Sequence, residues 1–444
     1  MSDLTITGAT ILTSDPERPL IEDGYLVVEG REIAGLGEGG PPRTVGESID
    51  GRDKLVTPGF VNAHTHLCMI YGRTLGTERS LVHWLTETQL PLMCAFEPDD
   101  YAISMELGAI ENLKAGTTTL CEVFFSPHYQ QEVDGIAAEA LDRSGIRSIF
   151  FRSSNDETLY EGFSETRAEM IERSTRLVDR WSLSARTSVG VGPLAPWASS
   201  QESFHDTVEL SAHHGIGIHL HTAETSDYDG LVRGRHGMGN IELLDRVGAL
   251  GESVMLNHCV HIDDRDIGLI ADSGSHVIHN PTSNMILASG VAPVPDLATA
   301  GVNLGLACDG PACNNSQDMI EVMKDAALLH KVVTGRPEVL LAEDVFAMAT
   351  RGGARAIGMG DRLGMLKEGF LADLALIDLD APHLTPCHDP LAALVYSARG
   401  SDVRTVIVDG EVVMRDREVL TLDESRIRAR AAERARLARV NAGV

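Results

Sequence analysis

The feature that most constrains the fold is a long alternation of β-like and α-like segments between about residues 56 and 364. Short apolar runs such as "TTTLCEVF" and "GIGIHLHTAE" recur, and helical patterns such as "YAISMELGAIENLKAG" separate them. Parallel strands need crossover connections of this length, and these are usually helices. About eight such units predict an α/β fold with a closed (β/α)8 barrel, in which chemistry is placed at the carboxyl ends of the strands.

Both ends of the chain have strand character of a different kind. The segments "LTITGATILTS" and "DGYLVVEGREIAGLGE" lie near the start, and "FLADLALIDLD" and "VRTVIVDGEVVMRDREV" lie near the end. The pair Asp409-Gly410 is typical of a two-residue hairpin turn. We therefore predict a small β-sandwich domain built from residues 1–55 and 365–444, the latter part including a terminal helix. Residues 56–364 would form the catalytic barrel.

Composition excludes several classes of partner. The chain carries 65 acidic and 37 basic residues, a formal net charge of -28, which disfavours nucleic acid and anionic membranes. Its seven cysteines are scattered without a Cys-x-x-Cys pair, unlike a disulfide framework or a thiolate zinc site. No run of eighteen apolar residues and no amino-terminal leader pattern is present. We expect a cytoplasmic homo-oligomer that acts on a small molecule with water.

Histidines and acids follow several of the predicted strands. His64 and His66 alternate at the end of "PGFVNAHTH", so both imidazoles face one side of a strand. His221 ends "GIGIHLHT", with Glu224 just beyond it. His258 and Asp309 follow the runs "VMLNH" and "LGLACD". Because parallel strands end at one rim of a barrel, these side chains should converge.

This set of side chains suits a divalent metal ion. Three imidazoles and one carboxylate are ligands that Zn(II) or Fe(II) accepts, and they leave a position for water. No lysine lies between Lys114 and Lys324, so a modified lysine from a middle strand cannot bridge two metals. One ion, with zinc preferred and iron possible, is the simpler expectation, although a carboxylate could also bridge a pair.

Several long motifs carry a family resemblance. They are "PGFVNAHTH", "HLHTAET", "NHCVHIDDRDI", "HNPTSNMILASGVAPVPDLATAGVNLGLACDGPACNNSQDM" and "GMLKEGFLADLALIDLD". With these motifs, the sequence resembles the amidohydrolase superfamily, in the branch of aminohydrolases and triazine hydrolases. The resemblance implies a barrel with a β-sandwich from both termini. It implies metal ligation by His64, His66, His221 and Asp309, with catalytic roles for Glu224, His258 and Asp309.

Two subfamilies compete within that resemblance. The S-adenosylhomocysteine and methylthioadenosine deaminases carry a ribose-binding glutamate and a histidine at positions that here are Met93 and Leu194. Unpaired ribose hydroxyls would cost about 1 to 3 kcal/mol each, so we expect a free amino-heterocycle such as a triazine, pyrimidine or purine-like base rather than a nucleoside. The melamine deaminase and atrazine chlorohydrolase group lacks those residues too. Cys313 lies at a position where the melamine deaminase has cysteine and the chlorohydrolase has serine. Gly310 matches the residue of neither enzyme.

The expected reaction is hydrolytic deamination. Hydroxide attacks the ring carbon that bears the amino group while Asp309 and His258 accept a proton, and Glu224 passes a proton to the adjacent ring nitrogen. Three alternative reactions stay open: chlorotriazine dechlorination, nucleoside deamination, and hydrolysis of a cyclic amidine or amide. A non-enzymatic binding protein is disfavoured because Glu224 and His258 are both present. The expected substrate-binding residues are Trp84, Gln89, Met93, Leu194, Trp197, Cys313 and Asn314.

Overall fold

The computed structural model describes residues 3–158 and 160–444, and its centre is a barrel of eight parallel strands in chain order. These strands are buried along almost their whole length, as helices on the outside and side chains inside require. The barrel strands are β6 (Phe60–Thr65), β7 (Thr117–Phe124), β8 (Arg147–Ser154), β9 (Thr187–Pro193), β10 (Ile218–Thr222), β11 (Val254–His258), β12 (His276–His279) and β13 (Leu304–Leu306).

Alternation along the strands separates the inside of the barrel from its outer layer. On β7, Cys121 and Val123 pack inside with Met255 and Ile278, whereas Leu120 and Phe124 pack in the cluster that contains the helices. Beyond the last strand, the backbone N–H of Asp309 donates to the carbonyl of His64 at 3.0 Å. This bond joins the last unit of the barrel to the first.

The remaining strands form one mixed sheet from both ends of the chain. They are β1 (Leu4–Leu12), β2 (Leu20–Glu29), β3 (Glu32–Glu38), β4 (Glu47–Asp50), β5 (Lys54–Pro58), β14 (Leu374–Asp378), β15 (Val403–Val408), β16 (Glu411–Arg415) and β17 (Glu418–Val419). The two ends of the chain meet where β5 pairs with β14 antiparallel. Asp409 and Gly410, with φ of 56° and 75°, turn the β15–β16 hairpin as predicted. The predicted fold class is confirmed.

Sixteen α-helices are assigned in the described part of the chain. They are α1 (Leu81–Trp84), α2 (Leu90–Cys94), α3 (Pro98–Lys114), α4 (Val133–Ser144), α5 (Arg167–Trp181), α6 (Gln201–His214), α7 (Ser226–His236), α8 (Asn240–Arg246), α9 (Asp264–Ser273), α10 (Pro281–Ile286), α11 (Val294–Thr299), α12 (Met319–Thr334), α13 (Ala342–Ala347), α14 (Gly353–Ala356), α15 (Pro390–Tyr396) and α16 (Glu424–Ala442). Within the described ranges, none of the helices is long and apolar enough to cross a bilayer.

A buried ion cluster joins the terminal sheet to the base of the barrel. Arg147, the first residue of β8, donates from Nε and Nη2 to the Asp373 carboxylate at 3.0 and 2.9 Å. Its Nη2 also donates to Oδ1 of Asp409 at 3.1 Å, and Nη2 of Arg31 lies 2.8 Å from the same oxygen. Each carboxylate is therefore matched by a cation that the chain itself supplies. We call this set of four residues the junction cluster.

A helical segment covers the opposite rim of the barrel. It consists of α1, one π-helical turn (Leu85–Gln89) and α2 without interruption. A π turn accommodates one more residue than an α turn, so it changes which residues face the barrel beyond it. We call residues 81–94 the cap.

Candidate active site

Histidines and acids converge at the carboxyl ends of the barrel strands. His64, His66, His221 and His258 stand at or just after the ends of β6, β10 and β11, and Asp309 follows β13. Two triads have ligand atoms that all lie within 4.8 Å of one another: His64 with His66 and Asp309, and His64 with His221 and His258. The four predicted metal ligands therefore lie in one cluster, together with His258.

Two of the imidazoles, those of His66 and His221, direct their lone pairs at each other. Nδ1 of His66 lies 2.7 Å from the carbonyl of Val123, and Nδ1 of His221 lies 2.8 Å from the carbonyl of Leu194. A carbonyl only accepts, so each Nδ1 carries the proton and each Nε2 keeps its lone pair. These two Nε2 atoms are 3.0 Å apart. Two lone pairs at this distance repel each other unless a cation lies between them, and Zn–N bonds of about 2.0 to 2.1 Å would place one there.

His64 belongs to the same cluster and contacts both His219 and Asp309. Its Nδ1 lies 3.2 Å from Nε2 of His219, and its Nε2 lies 3.3 Å from Oδ1 of Asp309. The same carboxylate oxygen is 3.7 Å from Nε2 of His66. His219 supports the cluster from behind, as a residue that orients a metal ligand does. The donor set and its geometry fit a divalent metal ion.

Burial sets the protonation states of the cluster. Desolvation lowers the pKa of His66 to about 3 and lowers that of His221 well below its usual range. Burial alone would raise the pKa of Asp309, but its contact with His64 holds it well below the ordinary value. Neutral imidazoles beside an ionised carboxylate are the forms that bind a metal.

The backbone is strained at two of these positions. His258 and Asp309 have φ of 71° and 64°, in the left-handed region that residues with a Cβ rarely adopt. Such strain costs of order 1 to 3 kcal/mol per residue and persists where the surroundings hold it in place. At both positions it turns a polar side chain toward the cluster.

Glu224 is a buried acid beside this cluster. Its Oε2 lies 3.8 Å from Nε2 of His258, and the hydroxyl of Ser289 donates to its Oε1 at 3.4 Å. Burial raises the pKa of Glu224 to about 7. The carboxyl group can therefore both hold and release a proton near neutral pH.

His258 is oriented by an amide that the sequence analysis did not single out. Its Nδ1 lies 2.9 Å from Oδ1 of Asn284, on α10. Because that oxygen accepts, Nδ1 carries the proton and Nε2 is left with a lone pair. Within residues 3–158 and 160–444, Nε2 of His258 finds no hydrogen-bond partner. The imidazole is therefore arranged as a proton acceptor that faces the cluster.

A cavity of about 550 Å³, mouth included, opens above the cluster. Its floor is polar and its walls are mostly apolar. The floor consists of His66, His221, Glu224, His258 and Asp309, and the walls consist of Met69, Leu81, Trp84, Leu85, Leu90, Phe125, Leu194, Ala195, Trp197, Tyr228, Leu287 and Cys313. Convergent polar groups beneath mostly apolar walls are typical of small-molecule sites.

Four of the seven predicted substrate-binding residues line this cavity, namely Trp84, Leu194, Trp197 and Cys313. Gln89, Met93 and Asn314 do not. Gln89 donates to the carbonyl of Leu75 at 3.1 Å, Asn314 donates to the carbonyl of Cys308 at 2.6 Å, and Met93 is packed in the core.

The geometry of the cap explains why Gln89 and Met93 do not line the cavity. Leu81, Trp84 and Leu85 face the cavity, and the π turn that follows makes Leu90 the next facing residue. Gln89 and Met93, four residues apart, share an adjacent face of the cap that does not line the cavity. The argument against a nucleoside relied on Met93 at the wall, where the structure does not place it.

The loop after Asp309 is closely packed against the floor. A Cβ placed on Gly310 would lie 3.1 Å from Cβ of His66 and 3.0 Å from Cε of Met69. A larger residue there would press on a predicted metal ligand, which accounts for the glycine. The thiol of Cys313 lies 3.2 Å from the carbonyl of Gly310, and burial raises its pKa, so it stays protonated.

Tyr228 is a wall residue that the sequence analysis missed. It lies in the first turn of α7, four residues after Glu224, and its ring packs against Trp197 with centroids 5.1 Å apart. The indole Nε1 of Trp197 is buried and has no partner in the part of the chain that the structure describes. The wall therefore contains an unpaired hydrogen-bond donor.

Comparisons with known proteins agree with this architecture. The model of the amidohydrolase family matches residues 55–413. The chain is 40% identical to a 5-methylthioadenosine/S-adenosylhomocysteine deaminase of Pelotomaculum thermopropionicum, over 98% of each chain. It is 38% identical to a 5'-deoxyadenosine deaminase of Methanosarcina acetivorans, over 100% of each chain.

Solved structures give the same fold. An adenosine deaminase of Xanthomonas campestris with bound zinc is 29% identical, with a TM-score of 0.92 over 99% of each chain. An atrazine chlorohydrolase of Arthrobacter aurescens in complex with zinc is 25% identical, with a TM-score of 0.90 over 97% of this chain and 99% of that one.

The expectation of a free heterocycle in preference to a nucleoside was wrong. The full-length relatives at 35 to 40% identity are named for nucleosides, which the sequence analysis had kept only as an alternative. The expectation of an enzyme with amidohydrolase chemistry is confirmed. From the matched family model, the shared barrel and the relatives that span its whole length, this chain belongs to the amidohydrolase family.

Proposed function

We propose that this protein is a metal-dependent hydrolase that converts an adenine nucleoside to the corresponding inosine-type nucleoside and ammonia. The observation that carries the proposal is the similarity, over the whole chain, to deaminases of 5-methylthioadenosine, S-adenosylhomocysteine and 5'-deoxyadenosine. The cavity supports it, because a protonatable acid and an oriented imidazole stand together at its floor. An amidine-like ring carbon needs both groups.

A single divalent ion, zinc in preference to iron, is part of the proposal. His64, His66, His221 and Asp309 would hold it, and relatives solved with zinc support the choice of metal. When bound, the ion supplies the Lewis acidity that brings the pKa of water toward neutrality.

The residues of the chain carry the proton transfers. Nε2 of His258 and the Asp309 carboxylate accept the proton that the attacking water loses. Glu224 gives its proton to the ring nitrogen beside the reacting carbon, so that negative charge does not accumulate on the ring. As the tetrahedral carbon collapses, the amino group takes up the proton held by His258 and Asp309 and leaves as ammonia, while the new hydroxyl returns a proton to Glu224 and becomes a carbonyl.

The apolar wall does not conflict with a nucleoside. Leu194 offers no partner to a ribose hydroxyl, but Tyr228 and Trp197, whose indole N–H is buried without a partner among the described residues, line the same cavity. A buried donor without a partner costs about 1 to 3 kcal/mol. A sugar hydroxyl that accepted from Trp197 would remove that cost on binding.

The substitution Glu224→Gln tests the proposed acid. It keeps the size of the side chain but removes the transferable proton, so ammonia release from 5-methylthioadenosine should fall by about 10²- to 10⁴-fold. Metal content, measured by elemental analysis, should stay unchanged.

Glu202→Gln is the matched control, because Glu202 is exposed on α6 outside the barrel. Unchanged turnover in Glu224→Gln would refute the assigned role. Ammonia release from adenine or amino-triazines, with none from nucleosides, would refute the substrate class.

A further inference from the structure

We infer, on the basis of the proposed nucleoside deamination, that the cavity selects nucleosides whose 5' substituent is apolar and uncharged. A methylthio group or a bare methyl group fits this description. The amino-acid end of S-adenosylhomocysteine and a 5'-phosphate do not. The relatives are named for both kinds of substrate, so the distinction is specific to the walls of this cavity.

The walls offer contact area but no charge. Four side chains of the cap, Leu81, Trp84, Leu85 and Leu90, form one side of the cavity. Leu194 and Leu287 come from the barrel side. Apolar walls of this kind stabilise an apolar substituent by about 25 cal/mol per Å² of surface removed from water.

No cation is available to pair with an anionic substituent. Among the described residues that line the cavity, none is a lysine or an arginine. The charged groups that can be ionised near neutral pH, Glu224 and Asp309, are both acids and lie at the floor. A carboxylate or phosphate at the wall would lose water without gaining a counter-ion, which is unfavourable.

A buried guanidinium in the same barrel pairs with two carboxylates and does not line the cavity, although its Nη1 finds no hydrogen-bond partner among the described residues. Arg152, fully buried on β8, donates to Asp134 and Glu165 at 2.8 Å each. Its guanidinium also stacks on the ring of Tyr129, 4.0 Å from the centroid. Recruiting Arg152 to a substrate would leave the buried Asp134 carboxylate without its cation, at a cost that opposes the movement, whereas Glu165 would keep its pairing with Arg173.

The test compares four adenosine derivatives on the same zinc-loaded enzyme. They are 5-methylthioadenosine, 5'-deoxyadenosine, S-adenosylhomocysteine and adenosine 5'-monophosphate, and kcat/KM is measured by ammonia release. The first two should have the higher values, and each of the last two should be at least about twentyfold lower than 5-methylthioadenosine, as expected for an unpaired charge at a desolvated wall.

A smaller difference for S-adenosylhomocysteine would overturn the inference while leaving the proposed function intact. Turnover of none of the four derivatives would overturn the proposed function, and this inference with it. The two failures are therefore distinguishable in one experiment.

A gain of function tests where the selection occurs. Leu85→Arg places a cation on the half-buried side of the cap and should raise the kcat/KM of adenosine 5'-monophosphate relative to 5-methylthioadenosine by at least about fivefold. Leu183→Arg, at a site that is 96% exposed, is the control and should leave the ratio unchanged.

An unchanged ratio in an active Leu85→Arg variant would contradict the placement of the substituent against the cap. If this variant is inactive, the wild-type ratios remain the deciding measurement.

Discussion

Two buried clusters of charged and polar side chains lie at opposite ends of the barrel, and they differ in how their charges are balanced. In the junction cluster, Arg147 and Arg31 face Asp373 and Asp409 with contacts of 2.8 to 3.1 Å. At the floor of the cavity, neutral imidazoles and two acids face one another, and Nε2 atoms of His64 and His258 find no hydrogen-bond partner among the described residues.

The difference separates a structural cluster from a functional one. The junction supplies its own cations, so it is complete when the chain folds. The floor has acceptors directed at one another and no cation from the described part of the chain, a donor set that suits the proposed metal ion. Buried polar atoms without partners are costly, and they are retained here at the point where strained backbone holds His258 and Asp309.

The largest expected effect comes from removing the carboxylate of the floor. Asp309→Ala should lose the metal ion and at least about a thousandfold in turnover, because the ion supplies several kcal/mol of transition-state stabilisation. Elemental analysis and ammonia release measure the two losses together.

The control for Asp309→Ala is the wild-type protein treated with a chelator. Added zinc should restore its activity, whereas zinc should not restore Asp309→Ala. Full metal occupancy in Asp309→Ala would show that Asp309 is not needed as a ligand.

The next largest effect should appear at the junction, in stability and not in catalysis. Arg147→Met leaves Asp373 and part of Asp409 buried without a cation, which should lower the free energy of unfolding by about 3 to 5 kcal/mol. The kcat of the folded variant should stay close to that of the wild type. Chemical denaturation and steady-state kinetics measure the two quantities separately.

Arg336→Met is the matched control for the junction. Arg336 pairs with Glu338 at 2.9 Å, and both side chains are more than half exposed. Loss of such a surface pair should cost below about 1 kcal/mol. Equal losses in the two variants would remove the distinction between a buried, self-paired cluster and an ordinary ion pair.

The sequence was sufficient to predict that the clustered histidines and Asp309 lie together, for a topological reason. Once the alternation of strands and helices implies parallel strands, residues at strand ends must meet at one rim, whatever the intervening loops do. His64, His221, His258 and Asp309 are separated widely in the chain and still lie in one cluster. Their convergence follows from the fold.

The walls could not be predicted in the same way. The facing residues of the cap depend on the π turn at Leu85–Gln89, which leaves no mark in apolar periodicity, so Gln89 and Met93 were placed on the wrong face. Asn284 lies within the quoted motif "HNPTSN", but only the structure shows that its amide meets His258. The preference for a free base relied on Met93 and Leu194, and of these two only Leu194 lines the cavity.

A smaller effect should follow from removing the amide that orients His258. Asn284→Leu deletes the acceptor for Nδ1–H, so the ring can rotate or change tautomer, and kcat should fall by about 10- to 100-fold with metal content unchanged. KM should change less than kcat, since Asn284 does not line the cavity. Asn284→Asp keeps an acceptor oxygen and should recover most of the loss.

Equal losses in Asn284→Leu and Asn284→Asp would contradict this role. They would indicate that the shape of the amide, and not its oxygen, is what the site requires.

The smallest effect should be seen in the pH dependence of the wild-type enzyme. Burial raises the pKa of Glu224 to about 7, and the proposed reaction needs its protonated form. The kcat/KM should therefore fall as the pH rises through about 7, approaching a tenfold loss per pH unit above it.

The junction offers the contrast within the same protein. Burial alone would raise the pKa of Asp409, but Arg31 and Arg147 hold it below its ordinary value. That carboxylate therefore stays ionised across the range in which Glu224 titrates. Thermal stability measured from pH 6 to 9 should not follow the activity curve. If stability and activity fell together above pH 7, the loss would reflect unfolding and not deprotonation of the catalytic acid.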